Sequence, residues 1–254
     1  MINFPNMFRA GLVAVMLAMP TSVSADDVSV VLVHGAFSDG SAWRKVIPVL
    51  KDSGVPVSAV QLSLSALSDD AATVERLAEL QDGPVVLVGH SYGGNVITEA
   101  GTHENVEALV FVAGLALDKG QSLSDLLEGQ PAAAWQAEVR PDAAGYVRLT
   151  PKGIADYFAP DLPEEEAALI AATQGPIQYK INSEAPTAAA WSKRPTYYIL
   201  AEHDQIVPPR LQAYFAQRMD AKITAVASSH VVMLSQPEVV ADVILNAVAA
   251  ASGN

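Results

Sequence analysis

Short runs of apolar, often β-branched residues alternate along the chain with longer segments whose apolar residues recur every three or four positions. The runs predict buried strands and the longer segments predict helices. Strands are predicted at 28–33, 57–62, 85–88, 108–112, 196–200 and 222–226, and helices at 41–51, 68–80, 91–100, 209–219 and 237–250. This alternation predicts an α/β fold, with a doubly wound, mostly parallel sheet between two layers of helices. Pro48 lies inside the first predicted helix and is expected to kink or restart it.

The alternation breaks between residues 115 and 193. This stretch is rich in Ala, Pro, Glu and Gln, and it contains pieces of helical pattern but no clear strand. A stretch of that length without secondary structure would be unusual in a compact domain. We therefore expect a small helical cap inserted into a single domain, rather than a pair of long surface loops.

The N-terminus has the pattern of a secretory signal peptide. Arg9 precedes an apolar run at 11–19, and small residues at 23–25 form a cleavage pattern. A membrane anchor or an extra buried strand is the alternative, but the run is shorter than the roughly 20 apolar residues that span a bilayer. We predict removal of residues 1–25, which leaves a single domain at 26–254 that is secreted or periplasmic and not attached to a membrane.

Composition narrows the class of protein further. Hydrophobic residues make up 50% of the chain and charged residues 17%, which argues against disorder. The formal net charge of −13 makes nucleic acid an unexpected partner. The chain has no cysteine, and its five histidines include no HExxH pair, so no thiolate nucleophile, metal or cofactor is implied. The oligomeric state stays open between monomer and homodimer.

One sequence motif indicates a nucleophilic serine. A G-x-S-x-G pattern at 89–93, centred on Ser91, joins a predicted strand to a predicted helix. In that context the serine occupies a sharp turn that exposes its hydroxyl above the sheet. A lone serine before a helix is also a favoured N-cap. The full strand, turn and helix context favours Ser91 as a nucleophile.

A serine hydroxyl needs a base to take its proton and an acid to orient that base. Asp204 follows the predicted strand 196–200, and His230 follows the strand 222–226. Both therefore come at carboxyl ends of strands, where open α/β sheets place their sites. The chain order Ser, Asp, His is the one that this motif accompanies. We predict a catalytic triad of Ser91, Asp204 and His230.

Other side chains compete for these roles. The remaining histidines are His34, His90, His103 and His203, and the alternative acids are Glu202 and Asp118. His34 and His90 flank the site and are expected to shape it. Preorganised backbone amides are the expected oxyanion donors. We predict the N–H of Tyr92, directly after the nucleophile, and that of Ala36 in the loop after the first strand.

Three segments resemble a known family: VLVHGAF at 31–37 with Trp43, VGHSYGG at 88–94, and Ser-His at 229–230 followed by Ser-Gln-Pro at 235–237. They are similar to bacterial α/β-hydrolases related to plant methylesterases and hydroxynitrile lyases. The likeness covers nearly all of the chain after the signal. It implies the same triad and the same two oxyanion amides.

The resemblance also has two departures that bear on activity. Plant-type hydroxynitrile lyases of this fold carry a threonine after the first-loop histidine and a lysine after the catalytic histidine. This chain has Gly35 and Val231 there, which argues against cyanohydrin cleavage and favours ester hydrolysis. The family also implies that the cap closes over an apolar pocket, to which we expect Phe37, Trp135 and Val231 to contribute as substrate-binding residues.

The sequence therefore predicts a serine esterase that cleaves carboxylic esters of small, largely apolar molecules through an acyl-enzyme, without a cofactor. Two alternatives stay open. One is a lyase or acyl transferase on the same scaffold, since one fold hosts many reactions. The other is a small-molecule binding protein with little turnover.

Overall fold

The computed structural model describes residues 28–253, and the predicted signal peptide lies outside them. The strands are β1 (Ser29–Val33), β2 (Val57–Ala59), β3 (Val85–His90), β4 (Val106–Val112), β5 (Val139–Pro141), β6 (Tyr146–Leu149), β7 (Ile177–Gln178), β8 (Thr196–Ala201) and β9 (Lys222–Val226). The helices are α1 (Val46–Asp52), α2 (Leu67–Glu79), α3 (Tyr92–Ala100), α4 (Leu123–Leu126), α5 (Pro151–Gly153), α6 (Glu164–Thr173), α7 (Pro209–Arg218), α8 (Val232–Ser235) and α9 (Pro237–Ala251).

Six strands form one parallel sheet in the order β2-β1-β3-β4-β8-β9. Helices α2 and α3 pack against each other, and α1 packs against α9. Right-handed crossovers place these two pairs on opposite faces of the sheet. Strands β1 and β3 are buried along their whole length, because helices cover both faces. The predicted doubly wound α/β fold is confirmed.

The direction of winding reverses between β1 and β3. The chain moves outward from β1 to β2 and then returns to add β3, β4, β8 and β9 on the other side. The loops that leave β1 and β3 therefore diverge and open a crevice at the carboxyl end of the sheet. Open α/β sheets bind their ligands at such a point.

Two predicted element boundaries change for local reasons. The predicted strand 57–62 ends at Ala59, and farther along the Leu62 amide donates to His34 Nε2 instead of to a neighbouring strand. The predicted helix 41–51 is divided into a 3₁₀ turn, Gly40–Trp43, and helix α1. Pro48 falls in the first turn of α1, where its missing N–H costs nothing. The expected restart of the helix is thus observed.

The cap differs from the prediction because it contains strands. Within 115–193, β5, β6 and β7 form an antiparallel sheet beside the short helices α4 to α6. These strands have two to four residues each, too few to show a two-residue period in the sequence. The Asp142 carboxylate helps to fix their first turn by accepting from the amides of Ala144 and Tyr146. Within residues 28–253, no helix is both long and apolar enough to cross a membrane.

Candidate active site

Ser91 occupies the turn between β3 and α3 in a strained backbone conformation, with φ 52° and ψ −123°. Such angles are rare outside glycine and persist only where the surroundings enforce them. Three hydrogen bonds do so: the Ser91 amide donates to Val112 O, and Ser91 O accepts from the amides of Gly94 and Leu115. The sharp turn predicted from the motif is therefore present at Ser91.

The glycine two residues after Ser91 lets the helix approach the sheet. A Cβ atom at Gly93 would lie 2.6 Å from Val33 O and 2.7 Å from His34 O. Real Cβ atoms do not approach backbone oxygens this closely, so the start of α3 packs directly on the end of β1. This contact brings the nucleophile turn and the loop after β1 together.

Asp204 and His230 form a buried pair. His230 Nδ1 donates to Asp204 Oδ2 at 2.7 Å, and both side chains are fully buried. Within the part of the chain that the structure describes, His230 Nε2 is buried and has no hydrogen-bond partner. The imidazole ring centroid lies 4.6 Å from that of His90, the residue next to Ser91. The pair therefore adjoins the serine with one ring nitrogen available for a proton.

The Asp204 carboxylate accepts four hydrogen bonds. Oδ1 accepts from the amides of Ile206 at 2.7 Å and Val207 at 3.0 Å. Oδ2 accepts from His230 and from Gln212 Nε2, the latter at 2.9 Å. These four donors fix the orientation of the buried carboxylate. Sequence reasoning did not single out Gln212, although a polar residue on the apolar face of α7 is a detectable signal.

The alternative acids and two of the alternative bases lie elsewhere. Asp118 and Glu202 are exposed, whereas Asp204 is 4% exposed. His203 is exposed in the loop after β8. His103 follows α3 and contacts Asn105 and Glu79, at the opposite end of the sheet from the carboxyl strand ends. The geometry thus brings together the residues that the sequence favoured.

His34 and His90 are built into the walls of the site. His34 Nδ1 donates to Gly35 O, and its Nε2 accepts from the Leu62 amide. His90 Nε2 donates to the backbone oxygen of His230 at 3.0 Å. Burial lowers the pKa of His34, and burial together with the nearby His230 holds the pKa of His90 well below 6.5. Both imidazoles therefore stay neutral, and each one holds a neighbouring backbone segment by a hydrogen bond.

The two predicted oxyanion amides belong to segments that adjoin the nucleophile. Tyr92 is the first residue of α3, and the first amides of a helix have no partner inside it. Ala36 follows Gly35, where an added Cβ would lie 2.6 Å from Ser91 Cβ. The loop after β1 therefore runs directly against Ser91.

A buried carboxylate holds the Tyr92 side chain. The Tyr92 hydroxyl donates to Asp70 Oδ2 at 2.9 Å. Asp70 Oδ1 accepts from the amides of Ser63 and Leu64. Burial and Asp70 raise the pKa of Tyr92 far above its ordinary value, so the hydroxyl remains a donor. This network fixes the residue after the nucleophile.

Aromatic side chains form the roof of the site. Phe158 of the cap packs edge-on against His230, with ring centroids 5.1 Å apart. Phe37 contacts both Phe158 and Trp135 edge-on, at 6.4 Å and 6.3 Å. Val231, 1% exposed, lines a narrow crevice with Phe158 and Leu234. Of the three residues predicted to bind substrate, Val231 lines the crevice with Phe158, Phe37 contacts Phe158, and Trp135 contacts Phe37. Their role in substrate binding stays a prediction. The sequence did not reveal Phe158.

The cap is tied to the loop that carries His230. Asp161 accepts from the Ser229 amide at 2.8 Å, from the Ser229 hydroxyl and from the Ser228 hydroxyl. A second attachment lies on α6, where Glu166 pairs with Arg44 at 2.6 Å and with Lys45 at 2.7 Å. Among residues 28–253, no three His, Asp or Glu side chains cluster as a metal site would require.

A model of the alpha/beta hydrolase family matches residues 30–243. The chain belongs to this family. It is related to plant methylesterases, and Methylesterase 1 of Arabidopsis thaliana is 25% identical over 251 residues, which cover 85% of this chain and 94% of that protein. The family model and the methylesterase relatives support a hydrolase.

Solved structures support the same fold. The crystal structure of polyneuridine aldehyde esterase superposes with a TM-score of 0.75 at 22% identity, covering 87% of this chain and 98% of that one. A pyrethroid hydrolase from Sphingobium faniae gives a TM-score of 0.75 at 20% identity, covering 89% and 100% of the two chains. At this level of identity the likeness establishes the architecture alone.

Proposed function

We propose that this hydrolase cleaves carboxylic esters by a serine mechanism. The observation that carries the proposal is the strained turn at Ser91 beside the buried Asp204–His230 pair, in which His230 Nε2 has no hydrogen-bond partner among residues 28–253. The methylesterase and esterase names of its relatives support ester hydrolysis in particular. A binding protein with little turnover would gain nothing from a strained serine and a buried acid–base pair.

The proposed reaction proceeds in two steps, acylation and deacylation of Ser91. Ser91 Oγ attacks the ester carbonyl while His230 Nε2 takes the hydroxyl proton, and Asp204 stabilises the imidazolium. The amides of Ala36 and Tyr92 hold the oxyanion of the tetrahedral intermediate. His230 then gives the proton to the leaving alcohol, which leaves an acyl-enzyme on Ser91. Water activated by His230 attacks this ester and releases the carboxylic acid and free Ser91.

The walls of the site favour small, uncharged and largely apolar esters. Phe37, Trp135 and Val231 would contact the substrate, and His34 and His90 add no charge because burial keeps them neutral. An anionic substrate would be repelled by a chain of net charge −13. We propose that the enzyme needs no cofactor. From the N-terminal pattern we propose that it acts outside the cytoplasm, secreted or periplasmic.

The close packing at Gly35 supports hydrolysis over the lyase alternative. A side chain at this position would collide with Ser91 Cβ and with His90 O, 2.6 Å and 2.9 Å from the added atom. The site thus has no room for the threonine that plant-type hydroxynitrile lyases carry here. Val231, in the position of their lysine, is a buried apolar residue.

Turnover of a p-nitrophenyl ester series from acetate to decanoate tests the proposal. We expect hydrolysis that falls off as the acyl chain outgrows the closed pocket, and loss of at least about 1,000-fold in Ser91→Ala. Thermal unfolding of the variant provides the control for folding. Equal turnover by a folded Ser91→Ala protein would refute the serine mechanism. Added alcohol acceptors would reveal an acyl transferase by forming a new ester.

A further inference from the structure

Gln212 lies on the buried face of α7 and is 0% exposed. Its neighbours on this face, Phe215 and Ala216, are apolar core residues, as helical spacing requires. A buried amide costs free energy unless its polar atoms find partners. Here the partners all come from the segment that carries Asp204.

The Gln212 amide makes three hydrogen bonds besides packing in the core. Nε2 donates to Asp204 Oδ2 at 2.9 Å and to Val207 O at 2.7 Å. Oε1 accepts from the Ala201 amide at 2.9 Å. One side chain thus joins the end of β8, the acid, and the residue three positions after the acid.

The shared oxygen gives this contact a chemical consequence. Asp204 Oδ2 accepts from both Gln212 Nε2 and His230 Nδ1, while Oδ1 is held by backbone amides. Without the amide donor, Oδ2 would keep only its hydrogen bond from His230 Nδ1, and the carboxylate would be held less firmly. The remaining negative charge on Oδ2 would also act more strongly on the imidazole, which stabilises the imidazolium.

We propose that Gln212 is a positioning residue that orients the Asp204 carboxylate and, through it, sets the basicity of His230. This role rests on the proposed function, in which His230 is the base. Gln212 itself does not touch the reacting atoms.

Three other titratable groups lie around the Asp204–His230 pair, and none of them is hydrogen-bonded to Gln212. His90 from β3 is neutral because burial and His230 lower its pKa. Tyr198 from β8 donates to Gly114 O at 2.6 Å, and burial raises its pKa well above 10. Asp161 from the cap accepts from Ser228 and Ser229. A substitution at 212 removes none of these contacts, so a changed pH profile reports on the Asp204–His230 pair.

The pH dependence of kcat/KM in Gln212→Met tests the proposal. We expect its acidic limb to move to higher pH by about 0.5 to 1 unit and kcat to fall by about tenfold or more, with little change in KM. Gln174→Met is the matched control. Gln174 is also buried and bonds the amide and carbonyl of Leu149 in the cap, away from the triad. It should lose stability without a change in the acidic limb.

Proton NMR supplies a readout that does not need turnover. The Nδ1–H proton of His230, bonded to Asp204, should give a far-downfield resonance that is absent in Asp204→Asn. We expect this resonance to move or broaden in Gln212→Met and to stay unchanged in Gln174→Met. A wild-type-like profile and resonance in Gln212→Met would overturn the proposal. A changed resonance in a protein whose wild type hydrolyses no ester would refute the proposed function alone.

A second variant covers failure of Gln212→Met to fold. Gln212→Asn keeps an amide but is one methylene shorter, so its donor withdraws from Asp204 Oδ2. The acidic limb should again shift to higher pH, and the downfield resonance should again change. An unchanged limb and resonance in folded Gln212→Asn would equally overturn the proposal.

Discussion

At the scale of single residues, two histidines of the site, His34 and His90, are buried as neutral imidazoles. His34 spans the loop after β1 and the segment after β2, and His90 spans the nucleophile turn and the loop of His230. Protonation of His90 would place a buried charge beside His230, and protonation of His34 would break the hydrogen bond that its Nε2 accepts from the Leu62 amide. Their low pKa values therefore belong to the architecture of the site.

These two histidines predict how stability depends on pH. Their pKa values lie below 6.5 in the folded protein, so below 6.5 the unfolded chain binds more protons. The two neutral histidines should contribute their full stabilisation above pH 6.5. On acidification the free energy of unfolding should fall, by up to about 1.4 kcal/mol per pH unit for each histidine. Urea unfolding at about pH 7.5 and about pH 5.5 measures this. His34→Asn should reduce the difference, and equal values for the wild type would contradict the assignment.

At the scale of elements, two attachments hold the cap, and they differ in what they touch. Asp161 bonds the loop that carries His230, whereas Glu166 bonds Arg44 and Lys45 at the start of the main domain. The Glu166 pairs are partly exposed, at 26% for Glu166 and 30–37% for its partners. Pairs of that exposure contribute little to stability. The Asp161 contact is therefore the one expected to affect the chemistry.

Paired substitutions separate the two attachments. Asp161→Asn weakens the contacts with Ser228 and Ser229, so the His230 loop loses its anchor and kcat should fall by about tenfold. Glu166→Gln removes a cap charge of the same sign but leaves the His230 loop untouched, so kcat should remain within about twofold. Steady-state kinetics and thermal unfolding of both variants measure this. An equal loss of kcat in the two variants would show that Asp161 acts only by attaching the cap.

Much of this architecture could be predicted from the sequence, and the failures have physical reasons. The buried strands β1 and β3 give unbroken apolar runs, and the turn at Ser91 gives a motif with fixed spacing, so both were predictable. The cap sheet was missed because its strands pair through backbone atoms over only two to four residues. Phe158 contacts His230, and Asp161 contacts Ser228 and Ser229, through tertiary packing of the cap, which no local pattern encodes.

At the scale of the whole molecule, the cap closes the site. Ser91 is 6% exposed, His230 is fully buried, and Phe158, at 1% exposure, packs against His230. The crevice beside Phe158 and Val231 is narrow. We therefore predict that a substrate the size of an ester displaces the cap to reach Ser91. The attachment at Glu166 is then expected to separate and form again in each turnover.

Cross-linking tests this prediction. Because the chain has no cysteine, a thiol-reactive cross-linker would react only at cysteines introduced for the experiment. In an Arg44→Cys, Glu166→Cys protein, a bis-methanethiosulfonate cross-linker should form a reducible disulfide with each cysteine, releasing methanesulfinate, and so join α6 to the main domain. We expect turnover to be lost on cross-linking and regained on reduction, because the cap could no longer open. The uncross-linked double variant is the control. Full turnover in the linked protein would show that substrate enters without movement at α6.

Covalent labelling of Ser91 is the most direct test of the central claim, that Asp204 and His230 activate this serine as a nucleophile. An organophosphonate probe should add one adduct to the purified protein, and peptide mass analysis should place it on Ser91. Labelling should be absent in Ser91→Ala and strongly slowed in His230→Ala, because the hydroxyl then lacks its base. An adduct on another residue, or equal labelling of the His230→Ala protein, would contradict the account.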